Sequence, residues 1–390
     1  GGCHSMHEPA PGGDFLLTRI DASSTCLSCH AAADTAPSRY HVMTYPVPGA
    51  GLPPVEQTPG GDFAWLLKSY TFTVRGTTET ELGQTHGHNV IASDYGLSVD
   101  TDFPTAPGGT FSSSQLGCES CHDQHGKLRR LGGDTTYTWA RSGAPIVGSG
   151  SYDNSAVPTA TTAVGAYRLL RGGIAGSPDA EEAGVTYGSV FLAIVPSTYN
   201  RVESTTQTRT AYGSSGDDTV GNWCASCHPG MHSNGNYVHP VDQGLGAPVA
   251  DNYNAYVSTG NMTGTAATSF LSLVPFSENT GDFATLKTHA GIADLVLNGP
   301  TSSDRVTCLS CHRAHASGFP DALRWNYEGE FLTVADAAGS PIWPGIDNGA
   351  PAQFARGRTE LEMRTAYYSR PATVFGAYQR VLCNKCHAKD

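Results

Sequence analysis

Cys26-Leu27-Ser28-Cys29-His30 is the first of five complete copies of one short pattern, Cys-x-x-Cys-His. The other four copies span residues 118–122, 224–228, 308–312 and 383–387. Two cysteines separated by two residues and followed at once by histidine form the attachment signature of c-type haem. The thiols bond covalently to the porphyrin, and the adjacent histidine binds the iron from one face. The five copies therefore predict five covalent haems.

A sixth site is expected at the start of the sequence. Ten of the eleven cysteines belong to the complete copies, and the eleventh, Cys3, is also followed by histidine. Gly1-Gly2-Cys3-His4 is what would remain of a copy that lacks its first cysteine. A free thiol or an intermolecular disulfide is the alternative for Cys3. We expect a haem here, held by one or two thioethers.

Zinc and redox dithiols also use Cys-x-x-Cys pairs, but neither requires histidine at the next position or five separate copies. Haem is therefore the better interpretation. The expected thioether residues are Cys3, Cys26, Cys29, Cys118, Cys121, Cys224, Cys227, Cys308, Cys311, Cys383 and Cys386. The expected proximal iron ligands are His4, His30, His122, His228, His312 and His387.

Each iron needs a second, distal ligand if it is six-coordinate. Nine histidines lie outside the motifs, whereas only five methionines are present. Histidine on both faces is therefore expected for all six irons, with fairly low reduction potentials. The strongest distal candidates are His7, His88, His125, His239 and His315. One or more of His41, His232 and His289 should complete the set, and His86 is the weakest candidate.

Local spacing supports three of these choices. His7, His125 and His315 each follow a motif histidine by three residues. So short a tether cannot bring the second ring to the opposite face of the same iron, and each should serve a neighbouring haem. The basic run of Lys127, Arg129 and Arg130 could pair with haem propionates; a solvated basic face is the alternative.

The expected fold is mostly irregular coil with short helices and few strands, wrapped around a continuous haem stack. Glycine and proline, 46 and 24 of 390 residues, interrupt the sequence throughout, so long periodic segments are few. We expect residues 1–390 to form one unit, with the haems supplying the core. Apolar spacing predicts helices over residues 282–297, 359–368 and 374–387, and alternation predicts a strand over 69–76. Pro-Gly-Gly-Asp-Phe occurs twice, at 11–15 and 59–63, and is expected to form a repeated turn without a chemical role.

The bulk properties point to an exported protein. No run of about 18 apolar residues is present, so no transmembrane segment is expected. The net charge of -12 disfavours nucleic acid and favours solubility. Haem attachment of the c type takes place on exported chains, and the absence of a signal peptide suits a mature form. We therefore expect export through the periplasm or its equivalent to the cell surface or beyond.

Several longer stretches carry a family resemblance. They are His4-x-Met6-His7, Gly87-His88-Asn89 and residues 197–201, 308–319 and 382–390. In these stretches the chain is similar to the OmcS-type hexahaem outer-membrane c-type cytochromes, which form extracellular filaments called nanowires. The one departure is the missing first cysteine of the first site, which indicates either truncation or a haem held by one thioether.

The resemblance implies six bis-histidine haems in a stack that alternates parallel and T-shaped neighbours. It also implies that His7 ligates a haem of the next protomer, the one whose proximal ligand is His312. Such a contact between unlike surfaces does not close and builds an open helical filament. Haem sites at residues 4 and 387 would place a redox centre near each end of the chain.

The expected function is therefore extracellular long-range electron transfer by a filament protomer, and not an enzyme activity. Its partners would be identical subunits, other redox proteins and extracellular acceptors. A monomeric periplasmic or cell-surface electron shuttle is the alternative, and a multihaem reductase is a weaker one. A reductase needs an iron with an open position, often marked by a motif ending in lysine, whereas every complete motif here ends in histidine.

Overall fold

The structure is a computed structural model that describes residues 2–7, 9–11, 14–32, 40–174, 181–182, 185–188, 190–197, 207–232, 239–291 and 296–388. Short α-helices are distributed along these ranges, and the longest has 10 residues. They are α1 (Ala22–His30), α2 (Cys118–Cys121), α3 (Val220–Ala225), α4 (Pro229–His232), α5 (Gly246–Ala255), α6 (Phe283–His289), α7 (Cys308–Cys311), α8 (Ala352–Ala355) and α9 (Glu360–Ala366). Helices α1, α2, α3 and α7 carry cysteines of four haem motifs.

The strands are equally short. They are β1 (Tyr70–Val74), β2 (Thr77–Glu81), β3 (Arg129–Leu131), β4 (Thr138–Ala140), β5 (Ile146–Gly148), β6 (Ala163–Gly165), β7 (Glu181–Glu182), β8 (Val185–Thr186), β9 (Leu192–Ile194), β10 (Ala211–Gly213), β11 (Ser277–Glu278), β12 (Val334–Ala335) and β13 (Pro341–Ile342). They form small separate sheets in the orders β1-β2, β4-β3-β6-β5, β7-β8, β11-β10-β9 and β12-β13. The pairs are antiparallel except β5 with β6 and β10 with β11. The predicted fold class, mostly irregular with short elements, is confirmed.

Local side chains define where several helices begin. Asp21 caps α1 by accepting a hydrogen bond from the Ser24 amide at 2.6 Å, which starts the helix that ends at His30. Asp282 caps α6 in the same way through the Ala284 amide. Thr359 and Glu362 form a reciprocal capping box at the start of α9.

Some of the predicted helices and strands are confirmed, and others are shorter or wrong. The strand over 69–76 is β1, and the helix over 359–368 is α9. The helix over 282–297 is shorter, because α6 ends at His289. The helix over 374–387 is wrong: 3₁₀ turns at Ala372–Val374 and Leu382–Lys385 are separated by irregular chain. Tyr378, with a φ of 58°, adopts a left-handed conformation that apolar spacing cannot reveal. Residues 12–13, 198–201, 292–295 and 389–390, on which other expectations fell, lie outside the described ranges.

Buried apolar side chains form a protein core. The largest cluster joins residues from across the sequence, from Leu27 to Leu382, and includes Trp325 and Trp343. A second cluster gathers around Phe191 and Val220. This is more protein core than the composition led us to expect, so the haems are not its only source. Within the described ranges, no helix is long and apolar enough to cross a membrane.

Candidate haem-binding sites

Five of the motif histidines share one hydrogen-bonding pattern. The Nδ1 of each lies within hydrogen-bonding distance of a backbone carbonyl: His4 to Phe15 (2.9 Å), His30 to Tyr40 (2.6 Å), His122 to Arg168 (2.8 Å), His228 to Pro107 (2.9 Å) and His312 to Asp321 (2.7 Å). Because a carbonyl can only accept, Nδ1 donates the proton and Nε2 keeps its lone pair. Histidines that bind metals typically donate their other ring nitrogen in this way.

Three motif histidines face a second histidine ring. The ring centroids are 6.0 Å apart for His228 and His88, 6.3 Å for His122 and His315, and 6.2 Å for His387 and His239. Two metal–nitrogen bonds of about 2 Å, plus about 1 Å from each nitrogen to its centroid, separate trans imidazole centroids by roughly 6 Å. These three pairs therefore have the spacing that one iron between two imidazoles requires. Among the described residues, His4, His30 and His312 have no histidine ring at this separation.

The backbone holds His88 and His315 next to each other. The His88 amide donates to the His315 carbonyl at 2.9 Å, and the His88 Nδ1 donates to the Ala314 carbonyl at 2.8 Å. Gly87 must remain glycine, because a Cβ there would lie 2.2 Å from the His315 carbonyl oxygen. Two distal candidates from different parts of the sequence thus share one local scaffold.

The second Pro-Gly-Gly-Asp-Phe segment supports the same scaffold. The Gly60 carbonyl accepts a hydrogen bond from the His315 amide at 2.8 Å, and the Phe63 ring stacks on the His315 ring with centroids 4.6 Å apart. A Cβ on Gly60 would lie 2.8 Å from the His315 Nδ1. The segment therefore positions a candidate ligand, a role that we did not expect from the sequence.

Desolvation by the surrounding chain favours the neutral form of several of these imidazoles. Desolvation by the surrounding chain, followed by the nearby His122 ring, lowers the pKa of His315 to about 3. Desolvation and then His228 lower the pKa of His88 to about 4, and desolvation also lowers the pKa of His122 and of His312. Only a neutral imidazole has a lone pair to give to iron. At neutral pH these rings are therefore in the form that binds metal.

The motif cysteines of successive sites lie near each other. The thiols of Cys26 and Cys118 lie close enough to interact, which lowers the pKa of Cys26 and raises that of Cys118. Cys224 and Cys308 repeat this contact between two later sites. Cys121 is close enough to Cys227 for the two thiols to interact electrostatically, and Cys311 interacts in the same way with both cysteines of the last motif. From the second site to the sixth, neighbours in sequence are therefore neighbours in space.

Three sites share one backbone arrangement that the sequence does not reveal. The carbonyls that accept from His4, His122 and His312 belong to the first of two consecutive left-handed residues, namely Phe15-Leu16, Arg168-Leu169 and Asp321-Ala322. The next residue in each case pairs with the motif histidine in an isolated bridge: Leu17, Leu170 and Leu323. We call these pairs the left-handed turns. They follow their histidine by 11, 46 and 9 residues, so no fixed spacing marks them.

The remaining distal candidates differ in what their rings contact. His86 is buried with both ring nitrogens engaged, by Glu81 at 2.8 Å and by the Trp65 carbonyl at 3.1 Å. The Nδ1 of His289 lies 2.6 Å from Glu278 and leaves Nε2 available. The Nε2 of His232 lies 3.1 Å from Asp242.

The other three candidates, His41, His7 and His125, differ in burial. His41 is buried beside Tyr40, with ring centroids 4.5 Å apart. His7 and His125 are exposed.

The basic run after the third site is not uniform. Arg130 is buried, pairs with Asp134 at 3.0 Å and lies over the Phe283 ring at 3.6 Å. For Arg130, the solvated basic face is therefore wrong, because the side chain is buried and paired with Asp134. Arg129 donates to the Ala144 carbonyl at 3.0 Å, and Lys127 is exposed.

No protein-family model matches the chain. The C-type cytochrome OmcS of Geobacter sulfurreducens is 47% identical over 409 aligned residues, which cover 100% of this chain and 92% of that protein. The chain belongs to the OmcS family of C-type cytochromes. Two solved structures agree, one of OmcS nanowires and one of an outer membrane cytochrome S filament, both from Geobacter sulfurreducens. Each has a TM-score of 0.90 and covers 100% of this chain and 98% of the solved chain, at 45% and 46% identity.

Membership of the OmcS family confirms the predicted resemblance, the c-type haem and the electron-transfer role. The residues present fit that cofactor, because the carbonyl-held histidines and the ring pairs at 6.0–6.3 Å suit an iron bound from two sides. A zinc site would instead require several ligands to converge. Among the described residues, no group of three or more histidine, cysteine, aspartate or glutamate side chains does so.

Proposed function

We propose that this chain is the protomer of an extracellular filament that carries electrons over long distances along six covalent haems per subunit. The observation that carries the proposal is the set of three facing histidine pairs, each at the spacing of one bis-histidine iron. Support for the filament comes from the relatives, whose solved structures are of nanowires and of a filament. Residues 1–390 would form a single unit, since one apolar cluster joins Leu27 to Leu382.

The sixth haem is proposed at Cys3-His4 because this site repeats the arrangement of two complete motifs. At all three sites, the amide of the residue after the motif histidine donates to the backbone carbonyl of the second residue of the left-handed turn. The amide of the residue two positions after that turn donates to the carbonyl of the motif cysteine next to the histidine. The donors are Ser5 and Thr18 at the first site, Asp123 and Arg171 at the third, and Arg313 and Arg324 at the fifth. Cys3 occupies the position of Cys121 and Cys311, the second cysteine of a motif.

The ligand assignment follows from the pairs. His315, His88 and His239 would bind the irons of His122, His228 and His387. The irons of His4, His30 and His312 then remain, and they would receive His7, His125 and one of His41, His232 and His289. Among the last three, His289 is favoured, because Glu278 holds its Nδ1 and leaves Nε2 for iron.

The bound haems supply the one-electron chemistry. The protein would favour the neutral imidazole through desolvation, as the lowered pKa of His315 and of His88 indicates. It also fixes the haems in sequence order through contacts between cysteines of successive motifs, such as Cys26 with Cys118. Ligation of every iron on both faces would leave no open position for a substrate, so we propose no enzyme activity.

Assembly would depend on His7. This exposed histidine would leave its own subunit and bind the iron of His312 in the next one, which has no facing histidine ring among the described residues of its own chain. A contact of this kind joins unlike surfaces and propagates without closing.

The test is the His7→Ala variant, with Met6→Ala as the matched control at the neighbouring exposed position. His7→Ala should yield soluble protomers with one altered haem and no filaments by electron microscopy, and Met6→Ala should still form filaments. Filaments of normal length from His7→Ala would disprove the cross-subunit role. Intact mass of the same samples counts the haems and decides whether Cys3 carries one.

A further inference from the structure

The three left-handed turns have nearly the same backbone geometry although their sequences differ. Phe15, Arg168 and Asp321 have φ of 53°, 50° and 56° and ψ of 30°, 29° and 25°. The second residues, Leu16, Leu169 and Ala322, have φ of 59°, 54° and 54°. A left-handed conformation is unfavourable for residues other than glycine, and two in a row are rarer still. Of the four such pairs of non-glycine residues in the described ranges, three lie beside motif histidines and one, Tyr368-Ser369, does not, and this recurrence indicates a shared requirement.

That requirement is the direction of one carbonyl. Each turn points the carbonyl of its first residue at the Nδ1 of a motif histidine, at 2.9, 2.8 and 2.7 Å for His4, His122 and His312. Two flanking hydrogen bonds anchor the turn to the motif, one on each side of the histidine; at the third site they join Asp123 to Leu169 and Arg171 to Cys121. The turn is thus clamped to the motif whose ring it contacts.

The other sites do not use this device. His30 and His228 donate to Tyr40 and Pro107, which are not part of a left-handed pair. Among the described residues, His387 has no carbonyl partner for its ring. The left-handed turns therefore alternate along the chain, at the first, third and fifth sites.

We propose that the left-handed turns are positioning elements that fix the imidazole orientation at the first, third and fifth haems and lower the reduction potentials of those haems. A hydrogen bond from Nδ1 to a fixed acceptor makes Nε2 a stronger donor. A stronger donor stabilises Fe(III) over Fe(II), and hydrogen bonding around the ligands is one of the means by which a protein sets haem potential. This inference rests on the proposed function, because it requires that these histidines bind haem iron.

Leu169 is the residue to change, because its backbone forms the turn and its side chain is 39% exposed. Leu169→Val disfavours the left-handed conformation, since a β-branched side chain rarely adopts it. Leu169→Gly and Leu169→Asn tolerate that conformation and serve as matched controls of different size. Leu16→Val and Leu16→Gly repeat the comparison at the first site, where the side chain is 49% exposed.

The readout is the midpoint potential of each haem in the purified, haem-loaded protein, from spectroelectrochemical titration with NMR of the shifted haem resonances. Leu169→Val should raise the midpoint potential of one haem by up to about 59 mV. This corresponds to a change of about tenfold in the equilibrium constant of a one-electron reduction. The Gly and Asn variants should match the wild type. Equal potentials in the Val and wild-type proteins, or the same shift in Val, Gly and Asn, would overturn the inference.

Two further outcomes are informative. A haem missing only at the changed site in the Val variant, with full loading in Gly, would also support positioning. Failure of both Val variants to accumulate, with normal Gly variants, would overturn it by assigning the turns to folding. Failure of the proposed function is recognised separately, because the unmodified protein would then lack six low-spin haems.

Discussion

Replacing His88 by alanine should open one axial position on the iron that we propose is bound between His228 and His88. The two ring centroids are 6.0 Å apart. Subtracting about 1 Å from each centroid to its nitrogen leaves about 4 Å, or two metal–nitrogen bonds of about 2 Å. An alanine side chain cannot span any of that distance. About one iron in six should become high-spin, and about one CO should bind per six haems.

The measurement is the visible spectrum of the purified protein and a CO titration of the reduced form without denaturant. His86→Gln is the matched control two residues earlier in the chain. Both nitrogens of His86 are engaged, at 2.8 Å by Glu81 and at 3.1 Å by the Trp65 carbonyl, so neither nitrogen is free to bind iron. His86→Gln should remain fully low-spin and bind no CO.

Two results would refute the assignment of His88. One is a His88→Ala protein that stays low-spin and does not bind CO, which would place the distal ligand elsewhere. The other is equal CO binding by the His88 and His86 variants, which would mean that a general loosening of the segment, and not the loss of a ligand, opens the iron. Intact mass must show the same number of haems in all three proteins.

Three further predictions concern stability and are measured by circular dichroism. Arg358→Ala should lower the free energy of unfolding by up to about 3–5 kcal/mol in a urea titration, because it removes a buried guanidinium and leaves buried Glu81 with only its longer ion pair to Arg356 at 3.4 Å. Burial raises the pKa of Glu81, but Arg358 and a hydrogen bond from His86 outweigh it and hold the pKa at about 2, below the usual 4.5. The ionised carboxylate therefore stabilises the protein above pH 4.5, and this stabilisation is lost as the pH falls toward 2. In Glu81→Gln, the free energy of unfolding should depend less on pH over this range. Trp343 stacks on Tyr367 with centroids 4.2 Å apart, so Trp343→Ala should cost about 3–5 kcal/mol and lower the melting temperature, and an unchanged melting curve would contradict that packing.

The sequence alone identified the family, the c-type haem and the electron-transfer role, and it predicted the residues that would attach the haems. Covalent attachment is a local chemical requirement that acts within five consecutive residues, so it can be recognised without knowledge of the fold. The strand β1 and the helix α9 were also predictable, because alternation and the Thr359–Glu362 capping box are local signals. Composition correctly predicted a mostly irregular chain.

The tertiary structure was needed to bring ligands together. His88 and His228 are far apart in sequence, and although the local context ranked His88 above His86, it did not reveal which motif histidine His88 faces. Only the fold places His88 6.0 Å from His228 and commits His86 to Glu81. The helix predicted over 374–387 failed for a related reason: packing, and not apolar spacing, determined the left-handed conformation of Tyr378.

The left-handed turns at Phe15, Arg168 and Asp321 could not have been predicted from the sequence at all. They act through a backbone carbonyl, a group that every residue has, and they follow their histidines at unequal spacings of 11, 46 and 9 residues. Side-chain chemistry thus predicted which residues would hold the cofactors. The path of the backbone decided how each imidazole is held. Every residue has a backbone carbonyl, so the sequence does not show which carbonyl accepts the hydrogen bond.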